Sequence, residues 1–232
     1  MEAASTGPSL NPAFMLRRAP VRPAVEQPQE TESIREAEEL CRQRRFREAL
    51  GVLNRVVLRD PKDPAAWTLV ASAHFGKNEY AEALTAAQTA ARYSCDSEPL
   101  RMATAALVAL ERHEEAADQA AQAVRREPHD WRNHVEKARV LVKLEGRMAE
   151  ARSAASVAVG IAPHVVTPHL VAGQVELAAG EIEAAAKAFR QVFTIDPANP
   201  AAYNELARLH LHGPPAGSAQ RSRRWSLSRS RG

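Results

Sequence analysis

The apolar and polar positions of this chain recur with a period near 34 residues. Small residues stand at Ala49, Ala83, Ala116, Ala151 and Ala185, with Val56, Ala90, Ala123, Ala158 and Val192 seven positions later. Three positions before each first member comes a larger side chain: Phe46, Tyr80, His113, Met148, Ile182. Twelve positions after it comes Pro61, then Cys95, then Pro128, Pro163 and Pro197. A further series runs Ala37, Ala71, Thr104, Ala138, Gly173, Ala207. Series that share one period mark an internal repeat. Within a unit, the apolar spacing predicts one helix (Ala65 to Phe75) and a polar turn (Gly76-Lys77-Asn78-Glu79). A second helix follows (about Tyr80 to Tyr93), and in the other four units a proline turn ends it. Helices joined by so short a turn pack antiparallel, and the small slots let their backbones approach. One hairpin cannot bury its apolar face alone, so the hairpins must stack.

Composition narrows the picture. The chain is 45% hydrophobic and 25% charged, which excludes wholesale disorder, and only 5% aromatic. Its 46 alanines favour helix over strand. Residues 1–29 hold five of the fifteen prolines and no lasting hydrophobic period, and read as a disordered leader. Residues 30–213 form the solenoid, with units at about 30–63, 64–96, 97–130, 131–165 and 166–199 and a lone helix at 200–213. Gly213-Pro214-Pro215 stops that helix. Residues 214–232 read as a disordered Arg/Ser-rich tail with a charge of +5, so the net +3 of the chain divides into a slightly acidic body and a basic end. The fourth unit carries one extra residue near its turn, between Leu144 and Met148.

A 34-residue helix-turn-helix with these slots resembles the tetratricopeptide repeat (TPR) family. The resemblance is carried by Trp67, Ala71, Gly76, Tyr80, Ala83 and Ala90 in the second unit, and by Gly173, Gly180, Ala185, Phe189 and Pro197 in the fifth. Asp196-Pro197 followed by Ala202, Tyr203, Leu206 and Ala207 is the best local match. It implies an all-α, right-handed superhelical solenoid of about five repeats plus one extra helix. It also implies a non-enzymatic scaffold whose first helices line a concave groove for a peptide or helix of a partner protein.

Three slot series should face that groove. They run Thr68, Arg101, Val135, Leu170, Asn204; then Ser72, Ala105, Arg139, Gln174, Arg208; then Phe75, Val108, Val142, Leu177, Leu211. Arg101, Arg132, Arg139 and Arg208 should flank an apolar stripe, which suits a ligand with acidic residues. The competing reading is that the stripe is packing within the repeats and the arginines are merely solvated. The Lys-Asn pair of the family's chaperone-binding branch is absent from these slots, so no such carboxylate clamp is expected.

Catalytic candidates are absent. No phosphate loop, nucleophile elbow or metal-like spacing of His and Cys occurs, and no cofactor, metal or small-molecule substrate is expected. Cys95, in a proline slot, reads as a small turn-packing residue. Two cysteines and no apolar run long enough to span a bilayer point to the cytoplasm. The tail residues Arg221, Arg223, Arg224, Trp225, Arg229 and Arg231 supply a rival function, binding nucleic acid or an anionic membrane surface. A further alternative is a piece of a larger TPR protein. The apolar face of the last helix (Tyr203, Leu206, Leu209) is a candidate for self-association.

Overall fold

The computed structural model describes residues 28–212. The predicted leader and tail lie outside the described residues, save for Pro28 and Gln29, which open the first helix. Within the described residues the chain is all helical. The helices are α1 (Pro28–Arg42), α2 (Phe46–Arg59), α3 (Pro64–Gly76), α4 (Tyr80–Tyr93), α5 (Glu98–Ala109) and α6 (His113–Arg126). They continue as α7 (Trp131–Leu141), α8 (Met148–Ile161), α9 (Val166–Ala178), α10 (Ile182–Ile195) and α11 (Pro200–His212). Odd and even helices pair as antiparallel hairpins. Each helix touches its immediate neighbours, and the odd helices α1, α3, α5, α7 and α9 also lie side by side. They form one wall of the stack.

The starts of these helices follow from local chemistry. Asp63 accepts from the Ala65 and Ala66 amides at 2.8 and 3.3 Å, and Asp130 from the Arg132 amide at 3.0 Å. Asn199 does the same for Ala202 at 3.2 Å. Each satisfies an amide that the helix itself leaves without a partner. Four residues on, Trp67 Nε1 donates to the Pro61 carbonyl at 2.9 Å. In the same slot His134 and His169 use Nε2 on Pro128 and Pro163, at 2.8 and 2.9 Å. A carbonyl only accepts, so each imidazole carries its proton on Nε2 there. The two histidines thus act as stays for the turns.

The turn before each even helix passes through one left-handed residue: Arg44, Asn78, Glu111, Gly146 and Gly180, with φ between 60° and 80°. Gly146 lies in the longest of these turns. The other hairpins use three linking residues, but α7 and α8 are joined by residues 142–147, which is how the extra residue of the fourth unit is taken up.

The core is made of the small periodic slots. Ala49, Ala83, Ala116, Ala151 and Ala185 are at most 1% exposed. Phe189 is fully buried and lies where a Cβ on Gly173 would fall, 2.3 Å from its ring. Glycine there is what lets the ring approach the helix backbone. A second, smaller cluster closes the far end, where Leu206 and Leu209 of α11 pack toward Phe189. The apolar face of the last helix is therefore largely used within the chain. Tyr203 remains 58% exposed and meets Phe193 edge-on, with ring centroids 4.6 Å apart.

The Cys95 turn differs from expectation. Cys95 is exposed, and Ser97, fully buried, is the residue that packs. With no proline to shape the turn, Arg126 reaches across and donates to the carbonyls of Ala91, Ser94 and Asp96 at 2.9–3.1 Å.

Candidate functional site

The odd helices expose one stripe each, because residues three and four apart share a helix face. On α3 the stripe is Ala65, Thr68, Ser72 and Phe75. On α5 it is Glu98, Met102, Ala105 and Ala109. Two hollows open along this wall.

The larger is a cavity of about 450 Å³. Phe75 of α3 and Ala105, Val108 and Ala109 of α5 form one side. Val140, Val171 and Val175 form the opposite side, with Val142 at the end of α7. The lining is mostly apolar. Glu136, Arg139, Lys143 and Gln174 supply its polar atoms. Arg139 pairs with Glu136 at 3.0 Å, which compensates that charge locally. Lys143 is exposed and, among the described residues, engages no carboxylate. It directly follows Val142, in the slot that Ala109 holds on α5, so the register of α7 sets an ammonium group at this rim.

The second hollow, about 230 Å³, lies at the other end of the same wall. Glu38 of α1, Thr68 of α3, Asp96 and Glu98 are among its residues. No ion pair among the described residues engages these three carboxylates.

Five of the proposed groove residues meet in the large cavity: Phe75, Val108, Arg139, Val142 and Gln174. Thr68 lies in the small hollow, with its hydroxyl turned back to the Pro64 carbonyl at 2.7 Å. Ser72 is half-buried between them on α3. Leu170 and Leu177 instead pack into the second core cluster. Asn204 and Arg208 are exposed on α11, and Arg208 pairs with Glu205 at 3.2 Å. Arg132 extends over the Trp131 ring, 5.7 Å from its centroid. The basic tail lies outside the described residues.

Arg101 is placed quite differently from a groove arginine. Its side chain is only 18% exposed. Its Nη1 donates to Ser97 Oγ, Asp130 Oδ2 and Asn133 Oδ1 at 2.8, 2.9 and 3.0 Å. The Ser97 hydroxyl donates to Glu127, and the Asn133 amide to the Ala123 and Glu127 carbonyls. This network joins the third and fourth hairpins across their junction. The guanidinium is consumed there because three acceptors converge on it in a half-buried site, where leaving them unpaired is costly.

Sequence reasoning missed Lys143, Glu136, Val140, Val171 and Val175 as cavity residues. The last two were legible in principle, since they bracket Gln174 at helical spacing. So was Lys143, which directly follows Val142 in the slot that Ala109 holds on α5.

Among the described residues no group of three or more His, Cys, Asp or Glu is placed to hold a metal ion, and no helix is long and apolar enough to cross a membrane.

Solved structures share this architecture. One is YrrB, described as a TPR protein with an unusual peptide-binding site. It is 21% identical, with a TM-score of 0.58 over 79% of this chain and 96% of that one. A thermophilic TPR protein of Thermus thermophilus is 20% identical, with a TM-score of 0.67 over 78% and 99% of the two chains. PilW, a type IV pilus biogenesis factor, is 16% identical, with a TM-score of 0.64 over 84% and 99%. At these identities the likeness is one of fold. A search of curated proteins by sequence finds no match. The sequence model of the tetratricopeptide repeat matches residues 34–99, 102–165 and 170–223, most of the chain. With the stacked hairpins and their small-residue slots, this shows that the chain belongs to the tetratricopeptide repeat family, whose fold serves as a scaffold for protein–protein interaction.

Proposed function

We infer that this chain is a non-enzymatic adaptor that holds a short segment of a partner protein along the wall of odd helices. The observation that carries this reading is the 450 Å³ cavity, built from four successive odd helices and their turns, with an apolar lining and Arg139 and Lys143 at its edge. Its size lies within the range of about 300–1,000 Å³ common to ligand cavities. Burial of apolar side chains supplies the affinity, and the cationic edge favours a carboxylate on the ligand. Four hairpins must be correctly stacked before the cavity exists, so binding reports on the assembled solenoid. Self-association through α11 has less to stand on, since of the three residues named for it Leu206 and Leu209 are engaged within the chain and Tyr203 is left outward.

The test is a peptide selected against the whole chain, with its affinity measured by calorimetry. Val108→Asp places a carboxylate in the apolar lining beside Glu136 and should weaken binding by at least about tenfold. Circular dichroism should retain the helical signal, and Val142→Asp provides an independent second site. If both variants bind the peptide as the parent does, the cavity is not the binding site.

A further inference from the structure

The wall of odd helices is electrically two-ended. At the α1–α3–α5 end, Glu38, Asp96 and Glu98 surround the small hollow. The arginine that the sequence places nearby does not neutralise them, because Arg101 is bound to Asp130 and Asn133 in the junction. Arg126 is held in this turn by the Ala91, Ser94 and Asp96 carbonyls, so its charge offsets that of Asp96 in part and leaves Glu38 and Glu98 as the acidic pair. At the α5–α7–α9 end the large cavity is apolar and Lys143 is the uncompensated charge on its rim. Both hollows lie on one stripe of α3, with Thr68 in the first and Phe75 in the second.

We propose that the occupant is a bipolar segment of a partner protein. Its basic residue lies over Glu38 and Glu98, its bulky apolar side chains fill the large cavity, and a carboxylate next to them meets Lys143. This rests on the groove reading and sharpens it, since an occupant acidic throughout would be repelled at the first end. Like charges placed together act against the wrong partner as much as opposite charges favour the right one. The same arrangement fixes which way round the segment lies.

The spacing within the segment follows from helix geometry. Seven residues from Thr68 to Phe75 rise about 10 Å along α3. The large cavity is centred roughly one and a half helices further along the wall, about 15 Å at usual interhelical distances. The two hollows are then about 18 Å apart, which an extended chain covers in roughly five or six residues.

The probe is a random 12-residue peptide library displayed on phage and selected against the full chain. Selected peptides should carry Arg or Lys about five or six positions from a bulky apolar residue, with Asp or Glu beside the latter. Repeating the selection with Glu38→Lys plus Glu98→Lys should remove the basic residue and leave the acidic one. Lys143→Glu should do the reverse. For a parent-selected synthetic peptide, each reversal should raise Kd by about two- to fivefold, the effect fading in high salt. If peptides depend on Val108 but show no charge preference, or their charges ignore these reversals, the bipolar inference falls and the groove reading stands. If selected peptides bind Val108→Asp unchanged, or none are enriched, both fall.

Discussion

Two glycines in helices of this chain should respond to the same substitution in opposite directions. A Cβ built on Gly173 in α9 would lie 2.3, 2.6 and 2.7 Å from atoms of the Phe189 ring, against an ordinary contact of 3.4–4 Å. Phe189 is fully buried, with Ala185 and Leu209 in its cluster, so the ring has no free volume into which to turn. Overpacking of this kind costs about 1–3 kcal/mol. The better helix propensity of alanine returns about 1 kcal/mol. Gly173→Ala should therefore destabilise by about 1 kcal/mol net, and by up to about 2. Gly51 in α2 is exposed, and its Cβ would meet nothing within 4 Å. Gly51→Ala should stabilise by about 1 kcal/mol. Thermal melts followed at 222 nm should separate the two variants by about 4–8 °C for a chain of this size. Phe189→Leu should remove most of the penalty in the Gly173→Ala background, a coupling that a double-mutant cycle reads directly. If Gly173→Ala raises the melting temperature as far as Gly51→Ala does, the contact between ring and backbone does not govern this junction.

Two further outcomes follow from the described side chains. Arg101→Ala leaves the acceptors of Asp130 and Asn133 without their shared donor and should cost about 1–3 kcal/mol in urea unfolding; an unchanged midpoint would show that the network is decorative. Deleting residues 214–232 should leave the affinity of the groove peptide unchanged by calorimetry, whereas salt-sensitive binding to nucleic acid or acidic vesicles, if the parent shows it, should vanish; a groove affinity lost with the tail would relocate the site.

The period near 34 residues was legible because it rests on excluded volume. Where two backbones cross closely, only a small residue fits, and that demand recurs at Ala49, Ala83, Ala116, Ala151 and Ala185 whatever the surrounding sequence. The left-handed turn residues were not legible, since Arg44, Asn78, Glu111, Gly146 and Gly180 share a φ but not a residue type. The cavity was legible in Val108, Val142 and Phe75, which follow helical spacing, but Val140, Val171 and Val175 were missed. Of the predicted charges, Arg139 lines it and Arg101 lies elsewhere. A long flexible side chain goes wherever acceptors converge, and Arg101 finds three of them on the neighbouring turns. Its reversal to Glu would break a junction and would say nothing clear about the groove. Arg139→Glu, at a residue that does line the cavity, is the more informative exchange.

Among the described residues, the helices in substantial contact lie one or two places apart along the chain. Every surface a hairpin must bury is thus synthesised immediately before or after it. Contacts that are local in sequence are quick to form, because little chain entropy is lost in closing short loops. A nascent chain leaving the ribosome can accordingly build the solenoid in order of emergence, each hairpin serving as template for the next. At any moment its unsatisfied apolar surface is confined to a single growing edge.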